Sequence, residues 1–206
     1  MARFLDGPGK AALTAAIGRV EARSSAEVVI EVQPSAGPHL HADLLAGLLA
    51  GIATLAFLLF SHVTFGILWI LVDPIVVGLL AGWLTSRSPA LRRALTPAPL
   101  RRRTVDTAAR AAFFTRGVHL TSGRTGVLVY IALAERMAAV VGDRGVEAAL
   151  PPDLWQGAAA RVDAAIAAGA SAQVVADAIA GLGDALEPYL PRAEEDVNEL
   201  PDEVLE

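Results

Sequence analysis

Cysteine is absent from all 206 residues, so disulfide bonds and thiolate chemistry are excluded. The first ten residues also lack the apolar core of a cleavable signal peptide, because Asp6 and a Gly-Pro-Gly run occupy its place. No internal repeat is visible. We therefore expect any membrane insertion to depend on a segment inside the chain.

Lysine and arginine are missing from two long apolar runs, Ala42–Phe60 and Val63–Leu84, which only Ser61 and His62 separate. Each run is near the ~20 residues that a helix needs to cross ~30 Å of hydrocarbon. A link this short forces the helices antiparallel, so the pattern predicts a transmembrane hairpin. The alternative is a buried helix pair, but a chain of 206 residues cannot easily enclose one.

Charge is scarce overall, at 19% of residues, and it is concentrated on either side of the hairpin. This partition favours a membrane anchor with one soluble domain over a polytopic transporter. Six arginines follow the hairpin, and cationic loops stay on the cytoplasmic side. We therefore expect both termini and the soluble domain in the cytoplasm, with His62 outside a plasma (inner) membrane. The six are Arg87, Arg92, Arg93, Arg101, Arg102 and Arg103.

Periodicity outside the hairpin predicts an α/β fold. Ala26–Val32 alternates β-branched residues with Glu27 and Glu31, which indicates a strand with one strongly buried face. Two further strands, Val127–Leu133 and Met137–Val141, are joined through Glu135-Arg136, which we expect to be a solvated turn. Helical patterns cover 7–23, 101–116, 153–168 and 171–186.

This order predicts a small mixed-sheet α/β/α sandwich. Because the first and second strands must share one sheet, the hairpin is an insertion within the domain. We expect the folded part to end near Pro191, before an acidic tail. The segments are 1–38 (first part of the domain), 39–86 (hairpin), 87–103 (basic juxtamembrane segment), 104–189 (remainder of the domain) and 190–206 (tail).

Three pieces of the chain resemble the TPM domain family. They are AEVVIEV at 26–32, TGVLVYIALAERMAAVVGDRG at 125–145, and Trp155. The family is named for a thylakoid lumen phosphatase, a photosystem II repair factor and a modulator of acetylcholine receptors. The resemblance, over roughly 10–32 and 104–187, implies a Rossmann-like sandwich that is tethered to a membrane and acts on or beside membrane complexes.

Some relatives in that family are acid phosphatases, and some bind a divalent cation at acidic loop residues. Asp143 matches the family's aspartate after the second hairpin strand, and the resemblance implies a phosphatase site formed by Asp143 with Arg144 and Arg124, or a Ca²⁺ or Mg²⁺ site at Asp143. Two departures are evident. No second carboxylate adjoins Asp143. In addition, family domains are mostly lumenal, periplasmic or extracellular, whereas the arginines after the hairpin predict a cytoplasmic domain here. The alternative is that Asp143 only tightens its turn.

Two further patterns suggest binding. His39, His41 and Asp43 form an H-x-H-x-D cluster that lacks a further zinc ligand, so interfacial anchoring is the alternative to a metal site. The arginines 101–103 suit anionic lipid headgroups or an acidic partner surface. Nucleic acid is not indicated, because the folded domain shows no basic patch.

Asp73 lies halfway along the second apolar run, where an ionised carboxylate costs at least ~2.5–3.5 kcal/mol. A polar contact with a partner's helix explains it better than transport, because two helices cannot enclose a pathway. Small residues would permit the close packing of such a contact. They include Gly47, Gly51, Gly78 and Gly82.

The sequence supports two hypotheses. The first is a non-catalytic accessory subunit or assembly factor of a respiratory, photosynthetic or secretion complex, without a required cofactor. The rival is a membrane-tethered phosphatase, which is weakened because no paired nucleophile and base is visible. A homo-oligomer is compatible with both.

Overall fold

A computed structural model describes residues 4–38, 40–192, 198–201 and 203–205. The chain divides into two compact units, an α/β unit (Met1–Ala36 and Arg102–Glu206) and a helical unit (Gly37–Arg101). The described elements are α1 (Gly7–Glu21), β1 (Val28–Gln33), α2 (Leu40–Phe60), α3 (Ile67–Arg87), α4 (Pro89–Leu95), α5 (Ala98–Thr115), β2 (Val127–Ala132), β3 (Met137–Gly142), α6 (Arg144–Ala149), α7 (Pro152–Ala167), α8 (Ala172–Leu186) and β4 (Val204–Leu205).

The α/β unit is built on a four-stranded mixed sheet in the order β3-β2-β1-β4. β1 runs parallel to β2 and to β4, whereas β2 and β3 form an antiparallel hairpin. The predicted mixed α/β class is therefore confirmed. β2 is buried along its whole length, as its unbroken apolar sequence predicts for a central strand.

Helices cover both faces of this sheet. On one face, Leu13 of α1, Val162 of α7 and Ile179 of α8 pack against Ile30 and Val129. The opposite face is covered by α5, whose apolar stripe includes Val105, Ala109 and Phe113. Because α5 covers the second face, the sequence expectation of one buried face for β1 is incomplete. Glu27 and Glu31 are each only 5% exposed.

The C-terminal segment differs from expectation. We expected the fold to end near Pro191, yet Val204 and Leu205 pair in parallel with Ile30 and Glu31. Val204 is only 3% exposed, so an apolar side chain within the acidic segment joins the core. A pattern of two residues is too short to predict a strand, which explains why sequence periodicity missed it.

The helical unit is an antiparallel pair formed by α2 and α3. The connection is Ser61–Gly66 rather than Ser61 and His62 alone, because α3 begins only after Gly66, whose extended backbone precedes the first turn. Each helix has 21 residues and a mean hydropathy of 2.2 over its most apolar 18 residues. Of those 18 residues, 6% are buried in α2 and 0% in α3. By length and composition, both helices can cross a membrane.

Candidate functional site

Four glycines bring α2 and α3 together. A Cβ added at Gly47 would lie 2.8 Å from the carbonyl oxygen of Gly78, and one at Gly78 would lie 2.9 Å from that of Gly47. A Cβ added at Gly51 would lie 3.0 Å from the carbonyl oxygen of Pro74, and one at Gly82 would lie 3.0 Å from that of Asp43. We expected these glycines at a contact with a partner's helix, but the structure places them inside the hairpin. The reason is that their spacing of four residues forms one stripe on each helix, and the two stripes face each other.

Asp73 lies next to this glycine stripe in α3 and is partly exposed. Its carboxylate makes no hydrogen bond or ion pair with any residue that the structure describes. Pro74 follows it inside the helix, so the carbonyl of Ile70 loses its usual helical donor. The midpoint of an otherwise apolar helix thus carries a carboxylate that the hairpin does not satisfy.

The start of α2 is joined to α4 by an ion pair. Arg92 donates from Nε to Asp43 Oδ1 at 3.0 Å and from Nη2 to Asp43 Oδ2 at 2.6 Å. The neighbouring His41 Nε2 lies 3.1 Å from Thr96 Oγ1. The carboxylate raises the pKa of Arg92 through this hydrogen bond, which keeps the pair charged. His41 and Asp43 therefore connect the start of α2 to α4 at the base of the hairpin.

The proposed metal cluster at this base gains no support from the structure. His39, its third member, lies outside the described residues. Over the part of the chain that is described, no three His, Asp or Glu side chains come together in a way that could hold a metal ion. Both carboxylate oxygens of Asp43 accept hydrogen bonds from Arg92.

Asp143 and Arg124 do come together, at the end of β3. Asp143 is the N-cap of α6 and accepts a hydrogen bond from the Arg144 N–H at 2.8 Å. Its other oxygen, Oδ2, is buried, accepts no hydrogen bond within the described chain, and lies 3.8 Å from Arg124 Nη1. The Arg144 side chain is exposed. The loop thus supplies one carboxylate and one cation.

Tight backbone packing shapes this loop. A Cβ on Gly126 would lie 2.1 Å from the Val118 carbonyl oxygen, and one on Gly145 would lie 2.6 Å from that of Arg124. Arg124 itself has a positive φ of 53°. Both glycines are therefore required for the chain to pack here. This favours the interpretation that Asp143 tightens its turn. No nucleophile and base lie together at Asp143 among the interactions of the described residues.

Two buried glutamates at the other end of the parallel strands were missed by the sequence analysis. Glu135 is only 1% exposed and accepts hydrogen bonds from Ser35 Oγ (2.9 Å) and Ala36 N (3.0 Å). The expected solvated turn at Glu135-Arg136 is therefore wrong, because the segment after β1 folds over it. The available signal was an acid at the end of the unbroken apolar run 127–134.

Glu31 is the second buried glutamate. It accepts from Arg116 Nε at 2.9 Å and from Gln33 Nε2 at 2.8 Å. The carboxylate raises the pKa of Arg116 mainly through this hydrogen bond. Arg116 therefore connects the end of α5 to the middle of the sheet, and its charge compensates the buried acid.

Tyr130 lies beside these acids and gives an alkaline prediction. Burial, together with the negative charges of Glu31 and Glu135, raises the pKa of Tyr130 from 10.0 to about 12. The folded state therefore keeps the phenol proton where the unfolded chain releases it. We expect the free energy of unfolding to fall as pH rises from 10 towards 12, by about 2–3 kcal/mol in all.

Urea unfolding of the full chain in detergent, followed at pH 8, 10 and 11.5, measures this loss. Tyr130→Phe should remove most of it, whereas Tyr189→Phe at an exposed tyrosine should not. Equal alkaline losses in the wild-type chain and in Tyr130→Phe would contradict the assignment.

The three consecutive arginines have different surroundings. Arg102 donates to the Ala138 carbonyl oxygen at 2.8 Å and pairs with Asp163. It therefore lies on the exposed edge of β3, and its binding to lipid headgroups or an acidic partner surface stays a prediction. Arg101 is partly buried, and the exposed Arg103 remains compatible with a lipid headgroup. The difference follows from the turn of the helix, which directs successive side chains about 100° apart.

Comparison with known proteins gives one solved structure. No family model matches the chain, and no curated protein matches it. The fold is similar to the NMR structure of the BA42 protein from the psychrophilic bacterium Bizionia argentinensis. That similarity has a TM-score of 0.60 and 18% identity, and it covers 98% of this chain and 94% of that one. At this identity the likeness concerns the fold alone.

Proposed function

We propose that this protein is a membrane-anchored accessory subunit or assembly factor that binds a larger membrane protein complex without catalysing a reaction. The observation that carries the proposal is the hairpin. Its outer surface is apolar along both helices, and Asp73 halfway along α3 has no partner among the described residues. A neighbouring membrane protein would cover the first feature and satisfy the second.

The end of α3 supports a position at a membrane boundary. Trp83 lies four residues before Arg87 and is more than half exposed. Tryptophan is favoured at the boundary between the hydrocarbon and the headgroups of a bilayer. Arg87 places its guanidinium carbon 4.9 Å from the Trp83 ring centre, which suits the headgroup region at the arginine-rich end. We assign this end to the cytoplasmic face of a bacterial inner membrane.

The chemistry of the partner follows from Asp73. A carboxylate inside hydrocarbon is stabilised by a hydrogen-bond donor or a cation from an adjacent helix. The glycines are already used between α2 and α3, so the partner contacts the outward side of α3 and not a free glycine stripe. We therefore propose a partner helix that carries a serine, threonine, asparagine, lysine or arginine at the same depth.

Membership of the TPM domain family is part of this proposal. It is supported by the quoted sequence pieces and by the mixed sheet with helices on both faces. The accessory role needs no cofactor. Anionic lipid near Arg103 and a second copy of the chain are compatible additional partners.

Replacing Asp73 with leucine tests the proposal. We expect Asp73→Leu to reduce co-purification of membrane subunits at least tenfold after mild detergent extraction, while the protein still inserts. The matched control is Val76→Leu, a substitution at an exposed apolar position of the same helix. Mass spectrometry of the tagged, extracted protein measures both. A wild-type chain that emerges alone would refute the accessory role, and so would an Asp73→Leu chain that keeps every partner.

A phosphatase remains the second candidate, and one observation favours it. Asp143 Oδ2 is buried without a hydrogen bond among the described residues, and Arg124 faces it. If this pair is catalytic, Asp143→Ala and Asp143→Asn should both abolish hydrolysis of a chromogenic phosphate ester. Asparagine retains the helix cap, whereas alanine loses it at about 1 kcal/mol, so the pair separates chemistry from folding. Absence of turnover with Mg²⁺, Ca²⁺ or Mn²⁺ would eliminate this candidate.

A further inference from the structure

The exposed edge of β3 borders a groove of about 900 Å³ in the α/β unit. Among the described residues, β3 is the last strand on its side of the sheet, so one row of its backbone groups has no neighbouring strand there. Alanines at 138, 139, 159 and 160 line the groove and leave room above the strand. A volume of this size is within the range of ligand sites.

One end of this edge is closed by side chains. Asp163 Oδ1 accepts from the Ala138 N–H at 2.8 Å, while Arg102 donates to the Ala138 carbonyl oxygen at 2.8 Å. The Arg102–Asp163 ion pair therefore replaces a neighbouring strand at Ala138. Such charged side chains are a common protection of edge strands.

The other end is open. The backbone groups of Ala138 point into the groove, and those of Val140 point the same way because an antiparallel pairing alternates with a period of two. Val140 is paired with Val129 on its inner side and is partly exposed. Its N–H and C=O are thus available to an added strand, next to Gly142.

Two unpaired charges flank this open end from opposite walls. Arg110 belongs to α5, on one face of the sheet, and Glu147 belongs to α6, whose Val146 packs on the other face. Neither side chain makes a hydrogen bond or ion pair within the part of the chain that is described. Arg110 follows Arg102 by eight residues, or about 12 Å along the helix, which matches the distance from Ala138 to Gly142 along the strand.

We propose that this groove binds an extended segment of a partner protein by adding a strand to β3 at Val140–Gly142. Successive side chains of an extended segment point to opposite faces of the sheet. The segment therefore places an acidic side chain towards Arg110 and a basic side chain, at an adjacent position, towards Glu147. Trp155, which also lines the groove, supplies an aromatic contact for its apolar residues.

This site gives the proposed accessory subunit a second contact, and it rests on that function only for the existence of a partner. It is separable from the hairpin. Asp73→Leu should leave the groove unchanged, and groove variants should leave the hairpin unchanged. Failure of either contact can therefore be distinguished from failure of the other.

Two fluorescein-labelled peptides of identical composition test the inference on the full chain in detergent. The first, Ser-Thr-Val-Asp-Lys-Val-Thr-Ser, carries its two charges on opposite faces when extended. The second, Ser-Thr-Asp-Val-Lys-Val-Thr-Ser, carries them on one face. By fluorescence anisotropy we expect the first peptide to bind at least tenfold more tightly. Slipping in register cannot rescue the second peptide, because its charges remain on one face in every register.

Arg110→Ala and Glu147→Ala should each weaken binding of the first peptide about tenfold, while Arg19→Ala, at an exposed arginine outside the groove, should not. Equal binding of both peptides would overturn the inference. So would an absence of binding at 1 mM peptide, or a dimer of the chain that Arg110→Ala dissociates in sedimentation, since the occupant would then be a second copy.

Discussion

Gly78→Val is expected to force the two helices of the hairpin apart. The new Cβ would lie 2.9 Å from the Gly47 carbonyl oxygen, a distance that Cβ atoms essentially never adopt. The obstacle is backbone, so it cannot rotate away as a flexible side chain would. The helices must separate by an ångström or more, and the close contact between them is lost. We expect a destabilisation of the helix pair of about 3 kcal/mol or more.

Because the chain has no cysteine, two introduced cysteines are the only labelling sites. Spin labels at Leu48→Cys and Leu79→Cys, whose side chains line the same surface groove between α2 and α3, report the separation of the helices. The distance distribution should lengthen and broaden in Gly78→Val and also in Gly47→Val. Ala53→Val, at an exposed position of α2, is the matched control and should leave it unchanged. An unaltered distribution in both glycine variants would show that the helices do not depend on this contact.

Arg116→Ala is expected to produce the largest loss of stability among charge substitutions in the α/β unit. Removal of the guanidinium leaves the Glu31 carboxylate, whose side chain is 6% exposed, with the Gln33 amide as its remaining donor among the described residues. Breaking a buried ion pair costs about 3–5 kcal/mol, and the 34% exposure of Arg116 admits water, so we expect about 2–3 kcal/mol.

Two further variants assign the loss to the buried charge. Glu31→Gln in the Arg116→Ala background should recover most of the stability, since a neutral amide replaces the uncompensated carboxylate. Arg19→Ala removes an exposed pair with Asp177 and should change stability by less than about 0.5 kcal/mol. Denaturant unfolding monitored by circular dichroism measures all of them. A loss in Arg116→Ala that Glu31→Gln does not relieve would mean that packing of the arginine stem, and not the charge, is responsible.

The helical unit shows how much of the structure a local sequence pattern predicts. Two runs of about 20 apolar residues without lysine or arginine predict membrane-length helices, and the structure contains them as α2 and α3. The glycines were recognised as small residues that permit close packing. Which helix they approach was not predictable, because a glycine stripe has the same spacing whether its neighbour belongs to the same chain or to another.

The candidate sites show the same division. Asp143 was named from the sequence together with Arg124 and Arg144. The structure brings Arg124 to 3.8 Å from Asp143 and makes Asp143 the N-cap of α6. Glu135 was assigned to a solvated turn, and that assignment was wrong. Arg102 was expected at lipid headgroups or an acidic partner surface, and the structure shows its ion pair with Asp163 of the same chain. Their partners, Ser35 and Asp163, lie 100 and 61 residues away in the sequence. No window of local sequence contains such a pair.

The sequence by itself determined six of the eight described α-helices, three of the four described strands, the mixed α/β class and the apolar hairpin, because each depends on periodicity, capping and composition within a few residues. The tertiary structure decided what those elements present to one another. It buried Glu31 and Glu135, placed β4 beside β1, closed one end of the β3 edge with Arg102 and Asp163, and left Arg110 and Glu147 unpaired within the described chain. These outcomes depend on contacts between distant segments, whose free energies are set by burial and complementary charge and leave no periodic trace in the chain.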